Sequence, residues 1–313
     1  MREVPGKAPI PDKQSMDASE TQRRTLPPGG TIPTWPAPDG WRLRVAIWPQ
    51  GTRGTLLFVN GRGDFIEKYA EPLHHWRARG WALVACDWRG QGGSGRWQPG
   101  PDAFATYTAD LRSIVAQATH TLPHPLVAVG HSMGGHILLR AISAGTPAIA
   151  RAVLIAPMLA LRAQPLLAPL VRTALRVGLA ARPALGQGPR DATAEARRAA
   201  ILTSDLARQS DEGWWLARHP ALASPGATWG WLDAALRSIA TLTHAPRPAT
   251  PIAAILAAHD RVVDTAKGAA LIARMLGPPA ILATLPGEHE LLREIDSLRA
   301  AVHAHTDLFL EQA

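Results

Sequence analysis

From about residue 43 onward, short apolar runs alternate with segments whose apolar residues recur every three or four positions. The runs Leu43–Trp48 and Thr55–Val59, separated by Gly51 and Gly54, predict two strands and a turn. Glu67–Arg79 has helical spacing and stops at Gly80, where a chain leaving a helix favours glycine. Trp81–Cys86 predicts a strand, and Ala103–Thr119 a helix with Asp102 at its N-cap. Leu126–Val129 then reads as strand, Gly135–Ala144 as helix and Ala152–Ala156 as strand. This alternation predicts an α/β fold, a mostly parallel central sheet with helices on both faces.

The alternation stops between about Met158 and Ala245, where helical stretches, arginines and tryptophans appear without a convincing strand. It resumes with strand Ile252–Ala257, helix Thr265–Met275, strand Ile281–Leu285 and helix Leu291–Leu310. The expected organisation is a core over residues 39–157 and 246–313, with a helical cap over 158–245 inserted after strand Ala152–Ala156. Residues 1–38, rich in Pro, Gly and polar groups without a sustained period, predict a flexible or loosely docked N-terminal arm.

Composition narrows the setting. The most apolar window, Leu154 to Leu179, is broken by Arg162, Gln164, Arg172 and Arg176, so no membrane span is expected. The first residues carry Arg2, Glu3, Lys7, Asp12 and Lys13 and lack an apolar leader core, so no secretory signal is expected. Cys86 is the single cysteine and sits in a strand pattern, which excludes an internal disulfide and agrees with a cytoplasmic location. The net charge of +8 comes from arginines spread along the chain. That distribution argues against a nucleic-acid partner and suits weak peripheral attraction to an anionic membrane surface. No His/Cys/Asp cluster has metal-ligand spacing, so neither a metal nor a cofactor is expected.

The strongest chemical signal is Gly130-His131-Ser132-Met133-Gly134-Gly135, placed where a predicted strand meets a predicted helix. That is the setting of a nucleophile elbow: a turn so sharp that glycine must stand two residues before and two after the serine. A serine hydroxyl needs a base to take its proton, and the base needs a third group to orient it. His289 lies in the loop after the last predicted strand, and Asp260 in the loop after Ile252–Ala257. Both stand at strand carboxyl ends, in the chain order Ser132, Asp260, His289 that one group of such enzymes uses. Asp264, the rival acid, reads as the N-cap of the next helix; Glu288 and Glu290 are too near His289 in sequence to orient its ring. The oxyanion donors expected are the backbone N–H of Met133 and of Arg62, the latter in Asn60-Gly61-Arg62-Gly63 after strand Thr55–Val59.

With these residues placed, the chain resembles the α/β-hydrolase superfamily, and within it the bacterial lysophospholipases and monoacylglycerol lipases of the serine-aminopeptidase-like hydrolase family. The resemblance rests on G-H-S-M-G-G and on Asp87-Trp88-Arg89-Gly90-Gln91-Gly92-Gly93-Ser94-Gly95-Arg96. It extends to Phe65-Ile66-Glu67-Lys68-Tyr69, Ala156-Pro157-Met158, Asp211-Glu212-Gly213-Trp214-Trp215, Trp229-Gly230-Trp231 and His289-Glu290-Leu291-Leu292-Arg293-Glu294. Asn60 departs from the pattern, standing where most superfamily members carry histidine. The resemblance implies an α/β-hydrolase fold and cofactor-free hydrolysis of monoacyl lipid esters through an acyl-enzyme, lysophospholipid first and monoacylglycerol second. Asn60, Gly61, His131, Trp214 and Trp215 are the substrate-binding candidates. In the cap, Leu166, Leu167, Leu170, Val171, Leu175 and Leu179 with Arg172 and Arg176 form an apolar face that either receives an acyl chain or packs on the core. Three alternatives stand beside this reading. They are acyl transfer, a peptidase whose cap acids Asp205, Asp211 and Glu212 hold an amino terminus, and a non-catalytic receptor.

Overall fold

The computed structural model describes residues 17–146, 148–162, 164–188, 198–277 and 280–312. Helix α1 (Ala18–Arg24) and strand β1 (Thr34–Pro36) come first, then β2 (Arg42–Trp48), β3 (Thr55–Val59), α2 (Ala70–Ala78) and β4 (Ala82–Cys86). They are followed by α3 (Ala103–Thr121), β5 (Leu126–His131), α4 (Met133–Ser143) and β6 (Ile149–Ile155). Helices α5 (Gln164–Arg176), α6 (Leu206–Arg218) and α7 (Trp229–Leu242) precede β7 (Ile252–Ala257), α8 (Thr265–Leu276), β8 (Ile281–Leu285) and α9 (Asp296–Leu310).

Among the described residues the strands form one eight-stranded sheet in the order β1-β2-β4-β3-β5-β6-β7-β8. β1 and β2 run antiparallel to their neighbours, and the pairs from β4 to β8 are parallel. Alternation along each strand divides the core. Leu57, Val59, Val84 and Cys86 face the layer that contains α3, α4, α7 and α8, whereas Leu56, Phe58, Leu83 and Ala85 face α2 and α9. Because β3, β5, β7 and β8 are parallel, the loops leaving Val59, His131, Ala257 and Leu285 emerge at one edge, the place where α/β sheets build sites.

Residues 158–245 connect β6 to β7, which pair directly through Ala152↔Ile252. Among the described residues of that connection there are helices α5, α6 and α7 and no strand of the sheet. Its isolated bridge Leu161↔Val263 ties it to the loop after β7. His136 of α4 joins it from below, with Nδ1 on the Met158 carbonyl (2.9 Å) and Nε2 on the Ser238 hydroxyl (2.7 Å). Burial pulls this imidazole down to about 3, so it stays neutral.

Three expectations need correction. Residues 17–38 are docked rather than a flexible arm, and residues 1–16 lie outside the described residues. Asp17 caps α1, Thr31 pairs with Ile47, and Trp48 Nε1–H donates to the Pro27 carbonyl at 2.8 Å. Asp102 stands at the start of α3 but makes no side-chain cap bond. The single helix expected over 291–310 is a short 3-10 turn, Leu291–Arg293, and then α9. The break has a cause: the Glu294 carboxylate bonds Glu288 N–H (2.8 Å) and the Ser204 hydroxyl (2.5 Å), and Glu294 itself is in extended conformation. No described helix is long and apolar enough to cross a membrane.

Candidate active site

β5 and α4 meet at Ser132, since the strand ends at His131 and the helix begins at Met133. The turn is tighter than the sequence suggested, because strand pairing continues to His131↔Ile155. Ser132 carries the reversal at φ 52° and ψ −117°, a conformation an L-residue keeps only when its surroundings enforce it. Here they do. Ser132 N–H donates to the Ile155 carbonyl (3.0 Å), and the Ser132 carbonyl accepts from His136 N–H (3.1 Å) and Met158 N–H (3.0 Å). A Cβ at Gly130 would stand 2.8 Å from Gly135 Cα, and one at Gly134 2.3 Å from the Val59 carbonyl oxygen, so both flanking glycines are required.

The loops after β7 and β8 bring Asp260 and His289 to the serine. Asp260 Oδ1 accepts from the N–H groups of Val262 and Val263, both at 2.8 Å. That fixes Oδ2 against His289 Nδ1 at 2.6 Å. A carboxylate only accepts, so the ring proton is on Nδ1, and Nε2 accepts from the Ser132 hydroxyl at 2.8 Å. Burial on its own would raise the Asp260 carboxyl; the His289 ring and the two amides outweigh it and hold it below the ordinary carboxylate range. The rival acids are engaged elsewhere. Asp264 caps α8 through Lys267 N–H (3.1 Å), Glu288 pairs with Arg261 (2.7 Å), and Glu290 with Lys68 (2.6 Å).

The loop after β3 lies against the serine. A Cβ at Gly61 would stand 3.2 Å from Ser132 Cβ, so glycine lets Arg62 follow at close quarters. Gly61 N–H donates to Asp64 Oδ2 (3.0 Å) and Gly63 N–H to Gln91 Oε1 (2.5 Å), which fixes the loop from two sides. Met133 opens α4, and its N–H is among the first-turn amides without an intrahelical acceptor.

Ser132 and His289 open into a cavity of ≈ 450 Å³. Its far wall is apolar, built from Leu161, Leu167, Leu170, Leu185, Trp229 and Leu232, while Asp64, His131 and Glu290 stand near the serine. Arg62, Arg162, Arg198, Arg261 and Trp231 also line it. Of the substrate-binding candidates, His131 lines this space. Asn60 and Gly61 do not; Asn60 is buried, its carbonyl accepting from Trp88 Nε1–H at 2.9 Å. Trp214 and Trp215 are also placed elsewhere. Asp211 and Trp215, four residues apart on α6, share the side that meets α1. Trp215 Nε1–H donates to the Arg23 carbonyl, and the guanidinium groups of Arg24 and Arg218 both lie over the Trp214 ring.

The serine aminopeptidase, S33, family profile matches residues 50–296. The chain belongs to this family of α/β-hydrolases. Among curated proteins it is 26% identical to the protein named probable lysophospholipase L2 of Haemophilus influenzae, over 85% of this chain and 87% of that one. Among solved structures it is similar to a soluble variant of the monoglyceride lipase of Saccharomyces cerevisiae in complex with a substrate analog. That pair shares a TM-score of 0.69 and 18% identity over 97% of this chain and 99% of the other. It is similar also to the monoacylglycerol lipase of Paleococcus ferrophilus, with a TM-score of 0.67 and 16% identity over 87% and 99% of the two chains. The two solved structures share the α/β-hydrolase fold with this S33 chain.

Behind its serine this S33 protein holds a buried charge cluster that sequence reasoning missed. Lys68 Nζ is fully enclosed and contacts Asp64 (2.7 Å), Glu212 (3.0 Å) and Glu290 (2.6 Å). Arg198 pairs with Glu212 at 2.8 Å, and Arg293 with Glu290. Burial opposes the charge on Asp64, Glu212 and Glu290, yet the cations beside them hold all three below the ordinary range, Glu212 at about 2. The Tyr69 hydroxyl lies between Asp64 Oδ2 (2.8 Å) and His131 Nδ1 (2.9 Å), and His131 Nε2–H donates to the His289 carbonyl (3.2 Å). The base's loop and the Gly61 loop are thus joined through one buried chain. The local signals were the four-residue spacing of Asp64 and Lys68 and the three-residue spacing of Glu290 and Arg293.

Proposed function

We propose that the protein hydrolyses carboxylic esters of monoacyl lipids, lysophospholipid first and monoacylglycerol second. The observation that carries this reading is the continuous hydrogen-bond chain Ser132–His289–Asp260 at the polar end of an apolar cavity. In this reading Ser132 Oγ attacks the acyl carbon and His289 Nε2 takes its proton. The N–H groups of Met133 and Arg62 receive the oxyanion. The ester C–O bond then breaks, His289 returns the proton to the leaving alkoxide, and water activated by the same imidazole releases the acid. Asp260 keeps the ring in the required tautomer. The relatives named for lysophospholipase and monoacylglycerol lipase activity support the lipid class.

The peptidase alternative loses its recognition group. An amino terminus needs an acid with charge to spare, but Asp205 pairs with Arg208, Asp211 with Arg23 and Arg24, and Glu212 with Lys68 and Arg198. Residues 158–245 act as the cap over the acyl site in this reading. Leu166, Leu170, Val177 and Leu185 are exposed on and beside α5, with Arg172 and Arg176 next to them. That face suits an anionic lipid surface.

A fluorophosphonate probe tests the chemistry: wild type is expected to label and Ser132→Ala is not. On 1-oleoyl lysophosphatidylcholine, 1-oleoylglycerol and graded p-nitrophenyl esters, activity is expected to rise with acyl length. An unlabelled wild type, or a preference for the shortest esters, would remove the reading.

A further inference from the structure

Asp260 is held by its main chain as well as by its carboxylate. Oδ1 accepts from Val262 and Val263 N–H, so the turn that follows the acid is also its cradle. The outer edge of that turn is bonded to residues 158–162, the first stretch of the connection after β6. Asp264 N–H donates to the Ala160 carbonyl (2.9 Å), Leu161 bridges to Val263, and Arg162 N–H donates to the Val262 carbonyl (3.3 Å). The Arg162 side chain closes the row, its Nη1–H donating to the Asp260 carbonyl at 2.5 Å.

The other end of the same stretch is fixed to the nucleophile. Met158 N–H donates to the Ser132 carbonyl (3.0 Å), and the Met158 carbonyl accepts from His136 Nδ1–H of α4 (2.9 Å). Residues 158–162 therefore act as a splint between the main chain of the serine and that of the acid, on a route that bypasses the imidazole. Within the splint Arg162 stands apart. The other bonds in the row run from backbone to backbone, whereas the guanidinium reaches the acid's own carbonyl from an exposed side chain. Its removal leaves one carbonyl to water and no buried charge without a partner. Met158, Leu161, Arg162 and Val262 also line the acyl cavity, so one wall both receives the acyl group and supports the acid.

We infer that Arg162 is a positioning residue for the triad: by pinning the main-chain carbonyl of Asp260 it sets where Oδ2 meets the His289 ring. The inference rests on the Ser132–His289–Asp260 reading above. A catalytic hydrogen bond depends steeply on such placement, since a displacement of about 1 Å in a supporting group can lower a rate about 10²-fold.

The test is the hydrolysis of p-nitrophenyl butyrate by wild type, Arg162→Met and Arg162→Lys, and by Arg162→Met combined with Asp260→Asn. Arg162→Met is expected to lower kcat by about tenfold to a hundredfold. KM is expected to stay within about twofold, because the ground-state contacts of this short ester are untouched. Arg162→Lys should recover most of kcat, since an ammonium also donates to a carbonyl. With Asp260→Asn in place, the Arg162→Met change should lower kcat by less than about twofold further, because a residue that works through the acid has nothing left to work through. An unchanged kcat in Arg162→Met, a loss seen only in KM, or an Arg162→Lys as slow as Arg162→Met overturns the proposal. If Asp260→Asn alone costs less than about tenfold, the triad reading falls and this inference with it. A full Asp260→Asn loss to which the Arg162→Met loss adds undiminished removes this inference alone.

Discussion

Asp260 divides its work between two oxygens: Oδ1 is held by two backbone amides, and Oδ2 holds the imidazole. Asp260→Asn keeps the shape and lets the amide NH₂ face His289, which favours the wrong ring tautomer. A fall in kcat of about 10⁴-fold on p-nitrophenyl butyrate is expected, with little change in thermal stability. A fall of less than about tenfold would place the orienting role elsewhere. Lys68 poses a different problem, because Lys68→Met would leave three buried carboxylates without their shared cation. The expected cost is about 3–5 kcal/mol in denaturant unfolding, and an unchanged midpoint would contradict it. Ser132 and its partners were legible in the sequence because each stands in a local pattern, an elbow or a strand-end loop. Lys68 was not, since its partner Glu290 lies 222 residues away and only the folded chain joins them. Trp214 and Trp215 misled for the same reason: their family pattern was visible, but which neighbour α6 turns them toward was not.

At the scale of elements, periodicity placed every parallel strand and most helices, with ends shifted by a few residues where tertiary bonds decide. The sheet extends β5 to His131, and Glu294 splits the last helix. The N-terminal segment was misjudged because its order comes from distant charge. Arg23 and Arg24 both bond Asp211, 188 and 187 residues away, at 2.8 and 2.9 Å. Asp211→Asn weakens both contacts at once, so α1 should detach more readily. The expected readout is faster tryptic cleavage after Arg23 or Arg24, with about 1–3 kcal/mol lost from global stability. Unaltered cleavage kinetics would show that α1 is held by packing alone.

For the whole molecule the buried charges set the response to acid. Asp64, Glu212, Glu290 and Asp260 have folded values below their unfolded ones, so their stabilisation is complete above the unfolded range and is withdrawn as pH falls through the folded values. For Glu212 that window runs from 4.5 down to about 2. Asp87 works the other way: burial, against Arg44 beside it, pushes its carboxyl up to about 6, so its protonation below that point favours the fold. The melting temperature should therefore hold through mild acid and drop steeply between pH 4.5 and 2, as followed by calorimetry. A flat profile across that window would show that the cluster contributes nothing net.

Among the described residues, helices α5, α6 and α7 between β6 and β7 are fastened unevenly. Arg208 of α6 grips Glu71 of α2 with two bonds and reaches the Glu294 carbonyl, and Glu212 of the same helix closes on Lys68. α5 rests instead on α7 through the apolar contact of Val171, Ala174 and Trp229, and the segment after it is tied to α7 by Trp229 N–H on the Arg182 carbonyl (3.1 Å) and Gly230 N–H on the Ala180 carbonyl (2.8 Å). One flank of this connection is thus held mainly by charge and the other mainly by apolar contact, so added salt should weaken the first while cooling weakens the second.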